Sequence, residues 1–178
     1  MTTTLLYLSW TGRGALAMVF AASVLAKTHR VAAFTRFRQA TATLTGQSGR
    51  RAGVLAVLTV AAETAVAAGS VVARTAPWAA AGAIGLLALF TWRLGAMPDT
   101  AFACGCFGTA AIGRRAALIR NGLLLAIAAI ALAGTLGGGP AGRSTGPAGP
   151  LVCAAAAALL TTLVVRIGDV TAVFPARR

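Results

Sequence analysis

The chain is poor in charged side chains, and acidic ones are almost missing. Of its 178 residues, 11% are charged, and three Asp or Glu residues stand against 16 Lys and Arg residues. Soluble domains carry about 25% charged residues, so this composition excludes an ordinary soluble protein. Two neighbouring Cys residues and one distant His also fall short of the four ligands of a usual zinc site, and we therefore predict no metal centre.

Motifs of the common soluble functions are missing as well. The sequence contains no nucleotide-binding motif, no hydrolase motif and no nucleic-acid-binding module. The net charge of +13 does not indicate nucleic acid, because the basic residues lie in short stretches between apolar runs and not on one soluble face. The alternation of polar and apolar residues that a membrane β-barrel needs is also absent.

What the chain does contain is long apolar runs. Hydrophobic residues make up 58% of it, and the mean hydropathy is +0.82. The first four runs reach the roughly 20 residues that a helix needs to cross a bilayer, and the fifth does so if residues 170–173 contribute. The runs lie at 5–26, 52–73, 77–97, 116–136 and 151–165.

We accordingly predict an all-α, multi-pass helix bundle in a bacterial inner or plasma membrane, in direct contact with the lipid bilayer. Small residues let helix backbones approach each other closely. We therefore expect helix contacts at two sets of such residues. These are Gly82 and Gly85, and the row Ala61, Ala65 and Gly69.

Two polar connections separate the runs. Residues 27–51 carry six basic residues and the only His, and we interpret them as a solvated loop attracted to anionic lipid headgroups. Residues 137–150 are interpreted as a flexible Gly/Pro-rich linker. Counted by connection, 13 of the 16 basic residues lie on one side of a five-span bundle, which the positive-inside rule assigns to the cytoplasm.

The most distinctive local feature is the pair of thiols at Cys104 and Cys106, separated by Gly105 and followed by Phe107 and Gly108. A disulfide between residues i and i+2 needs a sharp backbone bend, which a glycine permits because it has no Cβ. Such a small ring is strained, and strain is typical of disulfides that exchange. The charge count places the pair near the cytoplasmic side, where thiols are kept reduced, so the sequence leaves its sidedness open.

Glu63 is the second unusual residue, because it lies in the middle of an apolar run. It is about three helical turns from the nearest basic residue on either side, so it cannot reach the membrane surface. An unpaired charge in hydrocarbon is costly, and Glu63 therefore needs a partner or a proton. It serves either as a helix-packing hydrogen-bond group or as a proton acceptor beside the thiols. The cations available to pair with it are Lys27, Arg93 and Arg120.

Arg120 and Asn121 lie near the start of the fourth run. A guanidinium and the positive end of a helix dipole both stabilise a thiolate, so we expect this pair to favour attack by the cysteines. Asp99 is interpreted as a cap or solvating group of the loop. Cys153 is interpreted as a small packing residue, with resolution of a mixed disulfide as the alternative.

Together these features resemble the methylamine utilisation protein MauE family, which is related to the DoxX-like four-helix membrane proteins. The resemblance covers about residues 10–135. It rests on the stretch 20–27 that ends in Lys27, on Glu63, on the Cys-Gly-Cys-Phe-Gly loop at 104–108, and on the pair Arg120 and Asn121.

The resemblance implies a small membrane protein needed to mature the methylamine dehydrogenase light subunit, which carries many disulfides and a tryptophan-derived quinone. It also implies a thioredoxin-like partner, with the cysteines passing electrons between that partner and the membrane. The chain then divides into a MauE-like four-helix domain at 1–136, a linker at 137–150, and a fifth transmembrane helix with a basic tail at 151–178.

Two functional hypotheses follow. The first is a membrane thiol–disulfide oxidoreductase, in which Cys104 and Cys106 exchange with a thioredoxin-like protein or an exported client, and a quinone is the candidate cofactor. In this hypothesis Glu63 takes or gives a proton and Arg120 favours the thiolate. The second is a non-catalytic scaffold or small-solute transporter, in which the cysteines only brace the loop between spans three and four or bind a metal.

Overall fold

The computed structural model describes residues 2–96, 114–136 and 149–173, and these residues are organised in six α-helices with no strand among them. Five helices are long and apolar enough to cross a membrane. The predicted all-α, multi-pass architecture is therefore confirmed. The helices are α1 (Thr2–Thr28), α2 (Val31–Thr45), α3 (Gly49–Val71), α4 (Ala76–Gly95), α5 (Arg114–Leu136) and α6 (Gly149–Val173).

The five candidate spans coincide with the five apolar runs, and each bound agrees to within one helical turn. The last span, Gly149–Arg166, is long enough without residues 170–173. α4 begins with Pro77 in its first turn, where a proline costs no hydrogen bond because the first N–H groups of a helix have no partner within it. Of the predicted linker at 137–150, positions 137–148 lie outside the described residues, and the last two positions belong to α6.

The basic connection 27–51 contains a helix, so its interpretation as a loop was wrong. Helix α2 follows Arg30, whose backbone is extended, and ends at Gly46, whose φ of 67° is left-handed; a glycine adopts this conformation without steric cost. Its buried residues Ala33, Phe37 and Thr41 recur every fourth position, which places them on one face. The helix thus packs that face onto the bundle.

Helix α1 lies at the centre of the bundle and packs against α3, α5 and α6. The main core combines aliphatic and small side chains, such as Leu16, Val66 and Ala128. Large apolar residues also cover the outside, where Trp78 is 80% exposed and Leu159 is 73% exposed. An apolar exterior around an apolar core is what a bundle surrounded by lipid requires, since the lipid chains solvate its outer face.

Small residues set the closest approaches between helices. On α3 and α4, Gly69 faces Ala79, and Gly82 faces Val66, so two of the predicted contact positions are confirmed. Gly85 has no neighbour within 4 Å of the position a Cβ would take, and Ala61 and Ala65 are exposed. The row through Ala61 and Ala65 was therefore a wrong prediction, because those residues lie on the outer side of α3.

Helices α1 and α5 run antiparallel and come especially close. Gly12 faces Ala131, and a Cβ added to Gly134 would lie 2.6 Å from the Cβ of Ser9. Each step towards the end of α1 therefore corresponds to a step towards the start of α5. At 1.5 Å per residue in both helices, Ser23 lies at about the depth of Arg120, and Lys27 at about the depth of Ala116.

Candidate functional site

A buried ion pair joins α1 to α3 in the apolar bundle. The Nζ atom of Lys27 donates to both carboxylate oxygens of Glu63, at 2.5 Å to Oε1 and 2.6 Å to Oε2. The side chains of Lys27 and Glu63 are 0% and 5% exposed. The attraction between two opposite charges offsets the cost of removing each from water only when they are held this closely.

Two further side chains complete the surroundings of this pair. Ser23 lies one turn before Lys27 on α1; its Oγ accepts a hydrogen bond from Lys27 Nζ at 3.0 Å and donates one to Glu63 Oε2 at 3.3 Å. The ring of Phe37 on α2 lies 4.5 Å from Lys27 Nζ, within the range of a cation–π interaction. We call Ser23, Lys27, Phe37 and Glu63 the buried polar cluster.

Helix α5 contributes two buried polar residues at about the depth of Ser23. Arg120 is 2% exposed and Asn121 is 6% exposed. Asn121 Nδ2 donates to Thr91 Oγ1 of α4 at 3.3 Å. Because α1 and α5 pack antiparallel in the register set by Gly12 and Gly134, these residues and the buried polar cluster occupy one half of the bundle.

The structure shows that Lys27, one of the three cations that the sequence offered to Glu63, pairs with it. Arg93 is exposed and lies over the ring of Trp92 at 5.0 Å. Glu63 therefore meets its need for a partner through a residue from the end of α1, and the contact also fixes the position of α1 against α3.

The predicted reactive loop lies outside the described residues, which exclude 97–113. This covers Asp99, Cys104, Gly105, Cys106, Phe107 and Gly108. The two helix ends that the segment connects are described and are held together. Arg114 Nη2 donates to the carbonyl oxygen of Gly95 at 2.7 Å, and Leu94 packs with Ala116 and Ala117.

These helix ends lie at the same end of the bundle as Lys27. The antiparallel alignment of α1 with α5 puts Lys27 at about the depth of Ala116, which is within one turn of Arg114, the first residue of α5. The charged atoms of the pair contact Ser23, which is about level with Arg120, so both chain connections of the cysteine segment are within about 9 Å, in depth, of the buried ion pair. This juxtaposition is the strongest functional feature of the described structure.

Cys153 has the surroundings of a packing residue. It is 5% exposed on α6, and its Sγ contacts the carbonyl oxygen of Tyr7 at 3.8 Å. Among the described residues, no group of three or more His, Cys, Asp or Glu side chains is close enough to hold a metal ion.

Towards the opposite end of the bundle, a second buried basic residue binds the end of a helix. Arg13 on α1 is 8% exposed, and it donates to the carbonyl oxygens of Ser70 at 3.1 Å from Nε and of Val71 at 3.0 Å from Nη2. The last carbonyls of a helix have no partner within it, so Arg13 caps the C-terminus of α3. Its guanidinium also lies over Trp10, 5.1 Å from the ring centroid.

A sequence model of the family described as methylamine utilisation protein MauE matches residues 5–134. The chain belongs to this family. The match begins in α1 and ends in α5, so it includes the buried polar cluster, the cysteine segment and Arg120, and leaves out α6. Comparison with curated proteins and with solved structures finds no match.

Two members of the buried polar cluster in this MauE-family domain escaped the sequence analysis. Ser23 had a usable signal, because it stands four residues before Lys27 and side chains at this spacing meet on one helix face. Phe37 had none, since its contact with Lys27 depends on how α2 folds back. The cap formed by Arg13 is equally invisible in the sequence, because its partners are backbone atoms far along the chain.

Proposed function

We propose that this MauE-family protein is a membrane thiol–disulfide oxidoreductase whose reactive groups are Cys104 and Cys106. The observation that supports this proposal most strongly is the buried Lys27–Glu63 pair, within about 9 Å, in depth, of the helix ends that carry the cysteine segment. Ionisable residues within membrane spans are costly and mark functional sites. An apolar bundle with such a pair near the helix ends that connect to the Cys-Gly-Cys segment fits proton-coupled sulfur chemistry.

The proposed reaction oxidises a client dithiol. A client thiolate attacks one sulfur of the Cys104–Cys106 disulfide, which forms a mixed disulfide and releases the other cysteine as a thiolate. The second client thiolate then attacks the mixed disulfide, so that the client leaves with a disulfide and both cysteines are reduced. The reduced cysteines would return to the disulfide by giving two electrons and two protons to an oxidant, either a membrane quinone, which would become a quinol, or the disulfide of a thioredoxin-like partner, which would become a dithiol.

The buried residues have distinct tasks in this reaction. Glu63, with Lys27 and Ser23, takes or gives the proton that accompanies each change between thiol and thiolate. Arg120 stabilises the thiolate by its positive charge. The length of the segment is compatible with this role, because eight or so residues on either side of the cysteines span at most roughly 25 Å when extended, which exceeds the separation in depth.

The proposed client is an exported protein with several disulfides, such as the light subunit of methylamine dehydrogenase. This assignment rests on the family description and on the redox chemistry of the cysteine pair. The thioredoxin-like protein that exchanges disulfides with Cys104 and Cys106 is part of the same proposal.

Single substitutions Cys104→Ser and Cys106→Ser test the reaction, with Cys153→Ser as the matched control. We expect either of the first two to abolish disulfide formation in the client, measured by alkylation of free thiols and gel shift, and Cys153→Ser to leave it unchanged. Insertion of every variant is checked by immunoblot of the membrane fraction. An unchanged client in the first two variants would favour a scaffold or transporter instead.

Sidedness is tested by thiol labelling of intact cells that produce the Cys153→Ser variant. Only Cys104 and Cys106 then remain to react with a membrane-impermeant maleimide. After intact cells are treated with a membrane-impermeant reductant that opens the disulfide, exchange with an exported client requires rapid labelling from outside, which would overturn the orientation counted from basic residues. Labelling only after the cells are lysed would instead support that orientation and exclude direct contact with an exported client.

A further inference from the structure

A groove of about 470 Å³ separates α2 from the first half of α3. The two helices form a hairpin joined at Gly46, and Arg38 of α2 lies over Gly53 of α3, where a Cβ would be 3.8 Å from the arginine Cδ. The groove is lined by Phe34, Arg38, Gly49, Arg50, Gly53, Val54, Val57 and Leu58.

The lining is basic at one end and apolar at the other. Arg38 and Arg50 are exposed, and Arg50 is in the first turn of α3. About 12 Å further along α3, at 1.5 Å per residue, the groove is walled by Leu58, which is 59% exposed, and Phe34 lines it from α2. This gradient follows a candidate membrane span, Gly49–Val71.

No carboxylate lies near the arginines of the basic end in the sequence, so none is available there to neutralise them. The first acidic residue of the chain is Glu63, and Lys27 holds it inside the bundle. The helix start adds to the positive potential, because the first N–H groups of α3 have no partner within the helix, and the side chain of Ser48 at the N-cap makes no capping hydrogen bond.

We infer that this groove binds one anionic phospholipid, with the phosphate between Arg38 and Arg50 and an acyl chain along the exposed apolar residues of α3. Guanidinium groups bind phosphate oxygens through two parallel hydrogen bonds. The order of the lining, from cationic to apolar over about 12 Å, matches the order of headgroup and chain in a lipid. This site is separate from the proposed redox chemistry and does not depend on it.

The test uses the full-length protein in a nonionic detergent, titrated with phosphatidylglycerol or with phosphatidylcholine of the same chains. Bound lipid is counted by native mass spectrometry. We expect tighter binding of phosphatidylglycerol, and a loss of about fivefold per arginine, hence about 25-fold in the double variant Arg38→Gln/Arg50→Gln. The matched control, Arg36→Gln/Arg51→Gln, removes two exposed arginines that do not line the groove and should change the affinity less than about twofold, unlike the pair at the site.

A second variant keeps both charges and fills the groove. Gly53→Met places a side chain between the helices and should displace phosphatidylglycerol even if the arginine variant does not fold. Equal affinity for the two lipids, or equal losses in the arginine variant and its control, would overturn the inference in favour of unspecific attraction. Competition by glycerophosphoglycerol at the same concentration as the intact lipid would also overturn it, because the acyl chain would then contribute nothing.

Discussion

Removal of the positive charge from the buried ion pair should strongly destabilise the bundle. In Lys27→Met the side chain keeps much of its length but loses Nζ, which bonds to both oxygens of Glu63 and to Ser23. Glu63, whose side chain is only 5% exposed, would then be a buried carboxylate without its counter-charge. It must take up a proton or draw water into the bundle, and either outcome costs free energy of unfolding.

The size of the effect follows from the burial and the geometry. Removing one partner of a buried ion pair costs about 3–5 kcal/mol, whereas replacing both partners with apolar residues is often neutral. For a chain of this length, 1 kcal/mol corresponds to a shift of about 2–4 °C in Tm. We therefore expect Lys27→Met to lower Tm by about 6–20 °C, and Lys27→Met/Glu63→Met to recover most of that loss.

The assay is thermal unfolding of the purified protein in detergent, followed by the loss of monomer in gel filtration. Arg36→Met is the control, because it makes a similar change at an exposed position of α2 and should move Tm by about 2 °C or less. The argument fails if Lys27→Met unfolds at the wild-type temperature. It also fails if the double variant is less stable than the single one, since the penalty would then not come from the unpaired carboxylate.

Two further predictions concern packing and capping. Gly134→Ala should destabilise the bundle by about 1–3 kcal/mol, because the new Cβ would lie 2.6 Å from Ser9 Cβ. The control Gly122→Ala, on the same helix with no neighbour within 4 Å of the new Cβ, should instead be neutral or stabilising. Equal Tm values for the two variants would contradict the close approach of α1 and α5. Arg13→Met removes both cap bonds at the end of α3 and should cost about 1.5–3 kcal/mol. Arg74→Met, exposed near the same helix end, should leave Tm unchanged, and similar losses in both variants would rule out the cap.

The helix that sequence analysis overlooked shows where composition misleads. Residues 31–45 combine basic, Thr and Gln side chains with few large apolar ones, which is also the composition of a solvated loop. The periodic signal was Ala33, Phe37 and Thr41, and two of these three are small or polar. Such a weak apolar stripe stabilises a helix only when α1 and α3 provide a surface on which that helix can pack.

For the polar residues too, the sequence predicts some features and leaves others to the tertiary structure. The sequence indicated that Glu63 needs a partner or a proton, because the cost of a lone charge in an apolar span depends on its position along that span. It could not show that Lys27, and not Arg93, would pair with Glu63. Lys27 and Glu63 are 36 positions apart, and their meeting depends on the relative depth of two helices.

The sequence alone determined that this is a five-span helical membrane protein of the MauE family, and it located each span to within a helical turn. Length and hydropathy of a continuous segment decide membrane insertion, and both can be counted without knowing any neighbour. The tertiary structure alone decided that the buried polar cluster closes around Lys27, that α2 covers it, and that it lies within about 9 Å, in depth, of the ends of α4 and α5. Those facts depend on the close contacts of small residues that set helix depth, and such contacts arise only when the helices pack together.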